Sequence, residues 1–65
     1  MMTDVRLKDR CDTILRSLLG ERMVEQWWYS RNKAFDMLTP QEIWESGDVN
    51  RVYGYLLDQI NGDYL

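Results

Sequence analysis

The sequence predicts an all-α fold: a small single-domain bundle of four helices, two of them short. Three observations predict it. Apolar residues recur at helical spacing in two long segments, helix start and stop residues bracket the segments, and no run of four or more residues alternates as a strand would. A chain of 65 residues that is 45% hydrophobic and 29% charged has the composition of one folded domain rather than of a disordered segment. A domain of this length buries about 60% of the surface its unfolded chain exposes, so its net stability is only a few kcal/mol.

The first helix is expected from about Thr3 to Leu19. Leu7, Cys11, Ile14, Leu15 and Leu18 fall at i, i+4, i+7, i+8 and i+11 and form one stripe. Thr3 is the expected N-cap, and Asp4 in the first turn suits the helix dipole. Asp9, Arg10, Asp12 and Arg16 take the solvent side, with Asp12 and Arg16 spaced as an i, i+4 pair. Gly20 follows as a C′ glycine in the left-handed region. A second, shorter helix covers Glu21 to about Tyr29, its broad apolar face made by Met23, Val24, Trp27 and Trp28.

Ser30 to Leu38 reads as an ordered loop. Its first four residues are polar and lack a period, whereas Ala34, Phe35, Met37 and Leu38 are placed to plug it against the core. Thr39-Pro40-Gln41-Glu42 is a capping box with proline at N1, and it opens a short helix carrying Ile43 and Trp44 that Ser46-Gly47 stops. Asp48 is the expected cap of the last helix, from about Val49 to Ile60, which Asn61-Gly62 closes. Val49, Val52, Tyr53, Leu56, Leu57 and Ile60 form its stripe, and Gly54 within it reads either as a point of close approach by another backbone or as a tolerated weak residue. The expected core is Leu7, Cys11, Ile14, Leu15, Leu18, Val24, Trp27, Phe35, Ile43, Val52, Leu56 and Ile60, with Trp27 as its anchor.

Composition removes most catalytic chemistry. Without histidine there is no Ser-His or Cys-His pair and no Cys/His zinc cluster, and Cys11 on the apolar stripe reads as a buried, inert thiol. Asp4, Asp9, Asp12 and Asp48 lack calcium-loop spacing, and the four glycines do not form a phosphate loop. Glu42 and Glu45 are accounted for by a cap and a solvated face. The expectation is a protein that is not an enzyme and takes no cofactor or metal. Arg6, Arg10, Arg16 and Arg22 are interleaved with acids and the net charge is −3, which argues against nucleic acid. No apolar run reaches the roughly 18 residues that would cross a membrane, and Met1–Arg10 lacks a secretory h-region. A soluble, cytoplasmic protein is the default. Trp27, Trp28, Trp44, Phe35, Tyr29, Tyr53, Tyr55 and Tyr64 are more rings than one small core houses, and rings left at the surface anchor protein partners.

The segment from Trp27 to Gly62 carries an ordered pattern: Trp27-Trp28, Asn32, Phe35, Thr39-Pro40, Glu42-Ile43-Trp44, Gly47, then Val52, Leu56, Ile60 and Gly62. It resembles the toxin-binding domain of the Xre/MbcA/ParS antitoxin family. The resemblance implies a helical domain that neutralises a RES-domain toxin, an NAD-consuming or ADP-ribosylating enzyme, by blocking its active-site cleft. Members of that family usually carry an Xre-type helix-turn-helix upstream; residues 1–20 are too few for one, so this is expected to be a stand-alone copy. Met37 stands where the family commonly has glycine, and Arg31 where it commonly has proline.

The candidate partner-binding residues are Arg51 and Tyr55, at i, i+4 opposite the apolar stripe of the last helix, and Tyr64 and Leu65 at the chain end. Tyr55 is expected to be dispensable for folding. A phage- or mobile-element-encoded inhibitor of a host protein is the alternative, since a small acidic helical chain can occlude a basic groove. Self-association as a homodimer is compatible with either, because Val5 and Leu19 widen the apolar arc of the first helix beyond what a monomer covers.

Overall fold

The computed structural model describes residues 4–62. Four α-helices carry the chain: α1 (Asp4–Leu19), α2 (Val24–Trp28), α3 (Pro40–Glu45) and α4 (Val49–Asn61), with 3₁₀ turns at Glu21–Met23 and Lys33–Phe35. Among the described residues there is no strand, and one isolated antiparallel bridge joins Asn32 to Leu38. The all-α class and the four helices, two of them short, are therefore as the sequence predicts. The proposed Thr3 cap lies outside the described residues. α1 packs across α4, α3 packs against α4, and α2 rests on α1 and α3.

The second helix is divided where one continuous helix was expected. Gly20 takes φ 89° and ψ 156°, an extended conformation of the glycine-only half of backbone space rather than the left-handed helical one. The chain is thereby redirected into the turn Glu21–Met23, closed by the Met23 N–H donating to the Gly20 carbonyl at 3.1 Å. Only five residues remain for α2. Such a helix is not stable alone and depends on what its face packs against.

α3 begins as read. Thr39 Oγ accepts from the Glu42 N–H at 3.1 Å, and Glu42 Oε1 accepts from the Thr39 N–H at 2.8 Å. Pro40 at N1 is buried as well as positioned. The helix ends in a Schellman closure: Gly47 (φ 95°) donates to the Trp44 carbonyl at 3.0 Å and Asp48 to the Ile43 carbonyl at 3.3 Å. That closure explains one correction. Asp48 stands at the N-cap of α4 but its side chain caps nothing. Its backbone, at φ −88° and ψ 54°, completes α3 and is not in the extended conformation from which a capping side chain folds back.

Cys11, Leu15, Trp28, Phe35, Ile43, Val52 and Leu56 form one buried cluster, and Leu7 is buried near one end of α1. Ile14, Val24 and Trp27 only border it. Leu18 (41% exposed) and Ile60 (48% exposed) are not core residues. Their periodicity continues into the last turn of each helix, where the neighbouring elements cover the side chains only in part.

The buried indole belongs to Trp28, 3% exposed, and not to Trp27. Its Nε1–H donates to Asp12 Oδ1 across α1 at 2.7 Å, so the one polar atom of the ring is satisfied inside. Asp12 is thus used by Trp28 rather than by Arg16. The Lys8 ammonium sits 4.8 Å from the centroid of the same ring. Trp44 and Trp27 meet Trp28 edge-on, at 5.5 Å and 5.3 Å between centroids. Trp27 then turns to α4 and stacks on Tyr55 at 6.4 Å.

At Gly54 the structure favours the second of the two readings, a tolerated glycine. A Cβ built there meets nothing within 4 Å, so no backbone approaches it.

Two stability outcomes are expected. Trp28→Ala costs about 3 kcal/mol or more in urea unfolding, enough to unfold a domain this small, and costs more than Trp27→Ala; equal losses for the two would contradict the burial order. Gly54→Ala gains about 1 kcal/mol and raises the melting temperature by about 4–8 °C; a loss would mean that something does press on that position.

Candidate protein-binding site

The loop from Asn32 to Leu38 is built around one residue. The Asn32 carbonyl accepts from the N–H groups of Phe35 and Met37, both at 3.0 Å, its N–H donates to the Leu38 carbonyl at 3.1 Å, and its Oδ1 accepts from the Ala34 N–H at 2.9 Å. An asparagine supplies that last acceptor through an Asx turn, which is the reason for its place in the Trp27–Gly62 pattern. The ring closes tightly enough to force two consecutive non-glycine residues to positive φ, Asp36 at 57° and Met37 at 67°. Each such residue costs on the order of 1 kcal/mol. Met37 therefore occupies a backbone position that glycine fits without strain.

Phe35 is the loop's inward plug, 1% exposed. Ala34, Met37 (50% exposed) and Leu38 (43% exposed) are all exposed and are not plugs, contrary to the expectation. Once Phe35 fills the space under the loop, the other apolar residues of the loop are turned to solvent.

The candidate contacts on α4 also change character. Tyr55 is half-buried, packed edge-on against Phe35 at 5.2 Å and stacked on Trp27. Arg51 lies with its guanidinium carbon 5.6 Å from the Phe35 ring centroid and pairs with Asp36 at 3.1 Å. The two residues do not stand on a bare face, because the loop folds over that side of α4. Both latch the loop, so Tyr55→Ala loosens the fold as well as any interface. The Arg51–Asp36 pair is solvent-exposed, and a pair of that kind contributes about 0–1 kcal/mol. Tyr64 and Leu65 lie outside the described residues.

Beside this latch a groove of about 270 Å³ runs between α1, α2 and α4. Leu15, Leu18, Leu19, Trp27, Tyr55, Leu56 and Gln59 line it, so it carries no charge. The sequence did not mark Met37 and Leu38 as surface contacts. Their apolar identity was visible, but not that they face outward.

The titratable groups do structural work. Burial pushes the Cys11 thiol up to about 11, with Asp12 adding to the effect and Lys8 opposing it, so it stays protonated at neutral pH. The Glu42 carboxyl is held below its ordinary value by the hydrogen bonds with Thr39, first the backbone one. That contribution of the capping box is present at neutral pH and lost as pH falls through the lowered value. Among the described residues no group of three His, Cys, Asp or Glu could hold a metal ion, and no helix is long and apolar enough to cross a membrane.

The chain matches no protein-family model, and no curated protein or solved structure is significantly similar to it.

The strain at position 37 has a measurable order. Met37→Gly is expected to keep or raise the melting temperature, and Met37→Val to lower it, because a β-branched residue tolerates positive φ least. Equal melting temperatures for the two variants would show that the loop relaxes in solution.

Proposed function

We propose that this chain is a protein-binding domain of the antitoxin kind, which occludes the active-site cleft of a RES-type, NAD-consuming or ADP-ribosylating toxin. The observation that carries the reading is the loop. A tightly closed, strained turn displays Met37 and Leu38 to solvent and is latched by Arg51 and Tyr55, beside an uncharged groove. Backbone strain retained under an exposed apolar side chain is a cost without a return in folding, and points to a return elsewhere. The chain pattern that resembles the antitoxin family supports the same reading, because its members have definite tasks in building that surface. Asn32 closes the loop, Phe35 anchors it, Thr39 and Pro40 start the next helix, and Gly47 ends it.

The experiment is co-expression with the product of the adjacent gene, reading complex formation and the cellular NAD level. A stable complex that restores NAD is expected. Met37→Asp and Leu38→Asp should each abolish that protection while leaving the helical circular dichroism unchanged, since both side chains face solvent in the free protein. A neighbour that forms no complex, or a complex that leaves NAD depleted, refutes the proposal.

A further inference from the structure

A second groove, of about 310 Å³, runs along the other side of the α1–α4 contact, away from the loop. Ile14, Tyr53, Leu57 and Ile60 form its floor, and Asp9 and Arg10 stand on its rim. We infer that this face binds a second copy of the chain, joined about a two-fold axis with Asp9 of each copy opposite Arg10 of the other.

Three features select a second copy. The rim offers one acid and one base, and neither has an ion-pair partner among the described residues. A like-to-like contact uses the same patch twice, so a patch of balanced charge is complementary to itself, whereas a patch of one sign would repel its twin. The rim itself adds no net charge to the contact. The floor is apolar where the fold does not require it: Ile60 is 48% exposed although it sits on the stripe of α4, and Val5, 80% exposed, borders the adjoining depression that shares Asp9. The scale also fits. A standard interface takes about 800 Å² from each partner, one sixth of the 4794 Å² this chain exposes, and the two longest helices supply the face. A small domain with a limited core gains most from covering such a surface.

This inference is independent of the antitoxin reading, because the groove lies apart from the residues assigned to the toxin. Sedimentation equilibrium of the full chain from micromolar to sub-millimolar concentration tests it. The wild type is expected to be a dimer at the upper end. Ile60→Asp, an exposed position in the last helical turn, is expected to weaken the dimer by about a hundredfold or more with unchanged circular dichroism. Asp9→Arg and Arg10→Asp each place like charges across the axis and are expected to weaken it by about tenfold, and the double exchange to restore it. A wild type that stays monomeric throughout overturns the inference, as does a dimer indifferent to Ile60→Asp. Failure of the double exchange to restore what the single exchanges lose overturns the Asp9–Arg10 pairing.

Discussion

One hydrogen bond, from the Trp28 indole to the Asp12 carboxylate, determines which of two adjacent tryptophans goes inside. An indole buried without an acceptor would lose about 1–3 kcal/mol, a large part of what a domain this small has. With Asp12 as acceptor, the Trp28 indole lies against α1 and holds a helix too short to persist alone. Trp44 closes on the far edge of the ring, which ties α3 to the same point. Trp27, one residue earlier and rotated by about 100°, is left to meet α4 and Phe35. The order of the rings along the molecule, from Trp44 through Trp28 and Trp27 to Tyr55, follows from that choice.

The loop is the complementary case, in which the backbone rather than a ring sets the outcome. Asn32 gathers four hydrogen bonds onto one residue, and this closes a seven-residue turn without the glycine that its geometry favours. The ring is held from below by Phe35 and from the side by Arg51. What it presents outward is therefore fixed in place before any partner arrives, which lowers the ordering cost of association. The surface proposed for the toxin and the face proposed for a second copy lie on different sides of α4, so occupancy of one does not exclude occupancy of the other.

Much of this was legible in the residues. The stripes of α1 and α4, the Thr39–Glu42 capping box and the stop at Gly47 are local patterns, and local patterns survive into the fold. The misreadings have a common physical origin in contacts made far along the chain. Trp27 and Trp28 share one apolar face, and the tie is broken by an acceptor sixteen residues away. Leu18 and Ile60 obey helical periodicity, but periodicity does not say where the neighbouring helix ends. The sequence puts Arg51 and Tyr55 on an open side of α4, but their surroundings depend on how a loop fifteen or more residues earlier folds back on them. Asp48 was placed correctly as a cap position and misjudged in its side chain, because its backbone was already engaged in finishing α3.

The sealed sulfur at Cys11 gives this small molecule an internal clock. With its thiol at 0% exposure and no second cysteine to exchange with, an alkylating reagent reaches it only when α1 lifts from the rest of the fold. The labelling rate therefore reports how readily the fold opens at that one position, without any engineered probe. Any occupant that clamps α1 to α4 slows the clock, so ligation of this chain can be followed from the chemistry of a single atom.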